Sequence, residues 1–274
     1  MKKIVSVSLI LVIISILGVG YAMANQTYKV DKSDYVNSQN LISDIPKSPL
    51  SEEEVKSLIQ MREEEKLARD VYITLAEKWN LNIFANISKS EETHMNAIKA
   101  LLDRYNLEDP VKSDEVGVFT SEEMQKLYND LVAKGSTSLI DALKVGATIE
   151  DLDIKDLEDF LKITDNDDIK VVYQNLVKGS RNHLRAFMRN IKANGGTYEP
   201  QFISKEEFDK ILASDMERGS VDKNGKLINK GNGNGKGKGN GKGKRMGKHY
   251  QNNEQHGPHH KNHMRKHEGG FGNH

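Results

Sequence analysis

The chain has no cysteine. That excludes disulfides, zinc–thiolate sites, iron–sulfur clusters, thiol nucleophiles and a lipidated cysteine together. Proline is scarce, with 5 in 274 residues. No stretch alternates polar and apolar residues over a useful length, so a sandwich of short strands is disfavoured and helices are favoured. Hydrophobic residues at 36% and charged residues at 29% match an ordinary folded protein and argue against wholesale disorder. Net charge is missing as well: 40 Lys and Arg face 40 Asp and Glu. The balance is uneven along the chain. Residues 1–24 carry +2 and residues 221–274 carry +9, which leaves −11 for residues 25–220. An acidic body carries a basic tail.

What is present begins with a targeting segment. Lys2 and Lys3 precede an uncharged apolar stretch from Ile4 to Gly20, and Ala22-Met23-Ala24 follows. A positive start, an apolar centre and a small-x-small site predict a secretory signal peptide over 1–24, cleaved after Ala24 or retained as an anchor. The rest of the chain is then exported, secreted or held at the cell surface, and its core alone must stabilise it.

Residues 25–50 are polar, contain Pro46 and Pro49, and read as a flexible spacer. A domain is predicted over 51–217. Ser51 and Glu54 form a capping-box pattern, after which Leu58, Met61, Glu65, Ala68, Tyr72, Leu75 and Trp79 fall on one helical face. Phe84, Ile87, Glu91, His94, Ile98, Leu101 and Tyr105 make a second stripe. Residues 107–119 read as a long connection and 121–134 as a short helix. A third stripe runs through Leu143, Gly146, Glu150, Asp153, Leu157 and Phe160. The fourth holds Ile169, Tyr173, Leu176, Ser180, His183, Phe187 and Asn190. Ser204 and Glu207 suggest another capping box over a short final helix. The fold class is therefore all-α, a four-helix bundle with a long connection between its second and third helices. Residues 218–274, rich in Gly, Asn, Lys and His, are predicted to be a disordered tail.

Carboxylates do not belong on core stripes, because burying an unpaired charge costs several kcal/mol. Yet Glu65, Glu91 and Glu150 lie in register with apolar neighbours. Outside the tail the chain has two histidines, His94 and His183, and both lie on the same stripes. His94 follows Glu91 by three residues, one turn on. In four-helix bundles, Glu from two helices and Glu-x-x-His from the other two surround a pair of iron or manganese ions. Each residue also has an ordinary reading. Glu65 ends a Glu63-Glu64-Glu65 run that suits a solvated face. Glu150 could sit in a first helical turn capped by Thr148, and His183 could be a buried histidine bonded to a carbonyl. Tyr72, Tyr105 and Tyr173 read as core aromatics with a polar handle.

The sequence resembles the ferritin-like superfamily, and more narrowly an uncharacterised archaeal and bacterial ferritin-like family catalogued as a domain of unknown function. The resemblance covers about residues 50–215. It rests on Glu-Glu-Lys-Leu-Ala-Arg-Asp-Val-Tyr (64–72), Ser-Glu-Glu-Thr-His-Met (90–95), Val-Gly-Ala-Thr-Ile-Glu-Asp-Leu-Asp-Ile (145–154) and Gly-Ser-Arg-Asn-His-Leu-Arg-Ala-Phe (179–187). It implies Glu65 as the first-helix ligand, Glu91 as a bridge, His94 as a cap, Glu150 as the third-helix ligand and His183 as the fourth-helix cap. The fourth helix departs from the pattern, reading Ser180-x-x-His183 where Glu-x-x-His is expected. Asp153, one turn beyond Glu150, is the candidate to supply the missing oxygen; a single ion or an asymmetric pair is the alternative.

The resemblance implies iron or manganese, one or two ions, and chemistry with oxygen or peroxide. The alternatives are a module that sequesters or delivers metal without turnover, and a scaffold whose inward acids pair with Arg69 or Arg185. The tail carries seven histidines, which suit weak zinc, nickel or copper binding, and its charge suits anionic surface polymers. No aromatics interleave its lysines, so nucleic acid is not an expected partner. A homo-dimer is compatible with the pattern, whereas a large cage fits poorly with a signal segment and a long tail.

Overall fold

The structure, a computed structural model, describes residues 32–228, and these are all-α. They form seven helices: α1 (Lys32–Ile42), α2 (Glu52–Trp79), α3 (Asn82–Tyr105), α4 (Glu122–Gly135), α5 (Leu139–Ile163), α6 (Asp167–Ala193) and α7 (Lys205–Ala213). Among the described residues no strand forms, apart from an isolated antiparallel bridge between Val221 and Leu227. No described helix is long and apolar enough to cross a membrane. The signal segment expected over 1–24 and the tail from 229 onward lie outside the described residues.

Local chemistry sets the helix ends. At α2 the capping box forms in full: the Ser51 hydroxyl accepts from the Glu54 amide, and the Glu54 carboxylate accepts from the Ser51 amide. That carboxylate also accepts from Thr164 and from the amide and side chain of Asn166, tying the start of α2 to the α5–α6 turn. Asn80 and Asn106 end α2 and α3 in the left-handed region, at φ 47 and 55, which asparagine tolerates better than most residues. At α7 half of the expected box is present. Ser204 accepts from the Glu207 amide, but the Glu207 carboxyl turns instead to Glu158 of α5.

The long helices pair as α2 with α3 and α5 with α6, with α2 against α5 and α3 against α6 across the core. Tyr72, Phe84 and Phe187 form an aromatic cluster with centroids 5.3–6.3 Å apart. Gly146 makes this possible, since a Cβ there would come within 2.3 Å of the Phe187 ring. Removing a buried aromatic of this kind costs about 3–5 kcal/mol. α4 covers α2 and α5. The long connection after α3 is strapped to α2: Arg62 pairs with Asp109, Arg69 with Asp114, and the Gly117 amide donates to Asp70.

Two expectations need correction. Residues 25–50 are not spacer throughout, because α1 packs against α3 and α6 and buries Ile42 at 2% exposure. Its largely polar composition hides this anchor. The described chain also stays docked beyond residue 218. The Asn175 side chain donates to the Val221 carbonyl at 2.8 Å and accepts from its amide at 3.0 Å, so one amide side chain on α6 mimics a strand neighbour.

Candidate metal centre

Four helices deliver the site. Glu65 comes from α2, Glu91 and His94 from α3, Glu150 from α5 and His183 from α6. Their positions on the apolar stripes turn them inward: the three glutamates are fully buried, and His94 and His183 are 7% and 8% exposed. The ordinary readings of the glutamates fail on this placement. Glu65 is not on a solvated face, and Glu150 lies mid-helix, with Thr148 bonded back to the Lys144 carbonyl rather than capping.

The five residues form two triads that share one carboxylate. His94 Nδ1 lies 2.8 Å from Glu91 Oε2 and 3.3 Å from Glu65 Oε2. His183 Nδ1 lies 2.9 Å from Glu91 Oε1 and 3.3 Å from Glu150 Oε2. Within each triad, Glu65–Glu91–His94 and Glu91–Glu150–His183, one donor atom per residue lies within 4.8 Å of the others. The two imidazoles stack, with centroids 5.5 Å apart.

This arrangement fits a cation better than hydrogen bonds alone. The Glu91 oxygens approach the imidazoles closely, yet neither makes an aligned hydrogen bond, and Glu65 Oε1 has no hydrogen-bond partner among the described residues. A ring nitrogen carries at most one hydrogen, and each Nδ1 faces two carboxylates; a cation would satisfy all three groups. Without one, the charges distort each other's titration. Burial raises Glu65 and Glu150 to about 7. Burial also works to raise Glu91, but the charges of His183 and His94 hold it well below the usual carboxylate range. Burial works to lower His94, but Glu65 and Glu91 outweigh it and hold the imidazole at about 10.

The surroundings hold these ligands in place. The Tyr72 hydroxyl donates to Glu150 Oε1 at 2.6 Å, leaving Oε2 to face His183. Ser90 Oγ lies 2.9 Å from His183 Nε2. Gly179 presses against His94, where a Cβ would come within 2.4 Å of Nε2. Ser180, which stands where the pattern expects a glutamate, is buried and its hydroxyl bonds the Leu176 carbonyl.

Asp153 is buried but belongs to neither triad. It neighbours the centre without contributing a donor atom to either group of three. With Glu64 it lines a largely apolar cavity of about 60 Å³ between α2, α4 and α5. Burial, then the charges of Glu65 and Glu150, push its carboxyl well up. Neither Arg69 nor Arg185 neutralises the inward acids: Arg69 serves Asp70 and Asp114, and Arg185 serves Glu217. The sequence reading missed Ser90, Gly179 and the buried Lys66–Asp70–Arg69 cluster. The segments that contain them were visible, but nothing in helical spacing marks a side chain that supports a ligand.

Fold and site together define an all-α protein with a buried carboxylate–histidine cluster shared among four helices. The chain belongs to the family described as "Uncharacterized protein domain (DUF2202)", whose model matches residues 54–215. It is similar to "Uncharacterized protein MJ0754" of Methanocaldococcus jannaschii, with 61% identity over 178 residues, covering 65% of this chain and 96% of the relative. A crystal structure of hypothetical protein MJ0754 from Methanococcus jannaschii is similar with a TM-score of 0.62 at 60% identity, covering 64% of this chain and 99% of that one.

Proposed function

We propose that this chain is an exported, ferritin-like four-helix protein that binds one or two iron or manganese ions through Glu65, Glu91, His94, Glu150 and His183. The observation that carries the reading is Glu91, whose two oxygens each face a different histidine backed by a further glutamate. Three donors per ion leave coordination positions open to an outside molecule. Iron or manganese bound there would supply one-electron chemistry toward oxygen or peroxide. The protein's part is to hold the ligands in fixed orientation, to keep Tyr72 donating to Glu150, and to exclude bulk water with the Tyr72–Phe84–Phe187 cluster. Export rests on Lys2, Lys3, the apolar stretch from Ile4 to Gly20 and the small-x-small site Ala22-Met23-Ala24.

Ser180 favours a second reading, in which the protein sequesters or delivers metal without turnover. It supplies no second bridging carboxylate, so less negative charge is available to stabilise oxidised ions. On either reading, the tail's histidines collect metal weakly and its lysines meet anionic surface polymers.

The test is iron and manganese content of the full-length chain beside Glu91→Ala and His183→Ala. The tail is present in all three, so differences report the centre alone. The expected result is one or two more ions per chain in the wild type than in Glu91→Ala. Equal content in all three proteins would refute a metal centre. Oxygen or peroxide consumption abolished by Glu91→Ala then separates redox chemistry from storage.

A further inference from the structure

The two triads look alike in their ligands but not in what supports them. In the triad of Glu91, Glu150 and His183, both outer groups are anchored. His183 Nε2 meets Ser90 Oγ at 2.9 Å, and Glu150 Oε1 accepts from Tyr72 at 2.6 Å. With a metal on Nδ1, which faces the carboxylates, Nε2 carries the hydrogen and donates it to Ser90. That bond favours the tautomer metal binding requires and sets the ring plane. In the triad of Glu65, Glu91 and His94, neither anchor exists. His94 Nε2 abuts Gly179 with no hydrogen-bond partner among the described residues. Glu65 Oε1 has no partner either.

We propose that the two metal positions are inequivalent, and that Ser90 is the positioning residue that makes the His183 position the tighter one, filled before the His94 position. This inference rests on the metal-centre reading above. Its physical basis is the cost of ordering: a ligand already locked by an outer hydrogen bond loses less rotational freedom on binding than one held only by contact. Ser90 precedes the shared ligand Glu91 on α3 but faces α6, so one helix supplies both the bridge and the support for the opposite histidine.

The test titrates the full-length chain with manganese(II) and reads free ion by its paramagnetic resonance signal. Glu91→Ala, which keeps the tail, gives the background to subtract. The expected isotherm has two steps. Ser90→Ala should weaken the tighter step about 10–100-fold and leave the looser step in place. Ser90→Thr, which keeps the hydroxyl, should restore it. His94→Ala should remove the looser step alone, and circular dichroism checks that each variant stays helical. Two equal steps in the wild type would overturn the proposal, as would a tight step indifferent to Ser90→Ala or abolished by His94→Ala. Titrations of wild type and Glu91→Ala that coincide would instead sink the metal centre itself, and this inference with it.

Discussion

Gly179 of α6 leaves no room beside His94 of α3: a side-chain carbon at 179 would lie 2.4 Å from Nε2 and 2.6 Å from Cε1 of the imidazole. In an unencumbered helix, glycine to alanine adds roughly 1 kcal/mol of stability. Here the added methyl must shift the ring from the position that sets Nδ1 against Glu65 and Glu91. Gly179→Ala should therefore lower metal affinity at the His94 position about tenfold or more, without the usual gain in melting temperature. Unchanged binding together with a raised melting temperature would refute this.

Metal binding should tighten as pH rises, because an ion displaces protons from the imidazoles. In the metal-free protein Glu65 and Glu91 overcome burial and hold His94 at about 10, above an unfolded value near 6.5. A raised value means that its protonation stabilises the metal-free fold fully below about pH 6.5, and that this contribution is lost as pH rises through about 10. The melting-temperature gap between manganese-loaded and chelated protein should thus widen from pH 6 to pH 8. A gap that stays constant or narrows would contradict the assignment.

Glu54 predicts the opposite limb. Burial works to raise it, but hydrogen bonds from Thr164, Ser51 and Asn166 prevail and lower it to about 2. A depressed carboxylate stabilises the fold fully above its unfolded value near 4.3 and loses that contribution as pH falls toward 2. Glu54→Gln should flatten the acid side of the stability profile, measured by urea unfolding between pH 2 and 6. A parallel acid limb in wild type and variant would rule this out.

Asp70 holds two buried cations at once, pairing with the Lys66 ammonium and, at 2.8 Å, with Arg69 Nε. It also accepts from the Gly117 amide of the long connection. Asp70→Ala leaves both cations short of a partner in the interior. Breaking a buried charge cluster from one side costs about 3–5 kcal/mol, which corresponds to a fall of roughly 6–20 °C in melting temperature. A fall of less than 2 °C in a calorimetric scan would show that the connection and its cations rearrange freely.

Much of the site was legible because helical spacing is a strict ruler. Glu65, Glu91, Glu150, His94 and His183 sit on stripes otherwise apolar, and a helix whose stripe is buried must bury them too. Asp153 obeys the same ruler and is buried as well, yet it donates no atom to either triad. Spacing gives the face of a helix but not the distance across to the next one. The same limit hid α1, where Ile42 buries itself from a largely polar helix, and residues 218–228, which Asn175 holds to α6.

The sequence by itself determined the all-α class, the helix starts at Ser51 and Ser204, and the inward face of each candidate ligand. These follow from local hydrogen bonding and from the 3.6-residue period, which need no knowledge of neighbours. Only the tertiary structure decided that Glu91 stands between two histidines 89 residues apart in the chain. Only it decided that Ser90 supports one imidazole while Gly179 crowds the other. Those relationships depend on how helices approach one another, and side-chain packing fixes that approach across the whole core at once.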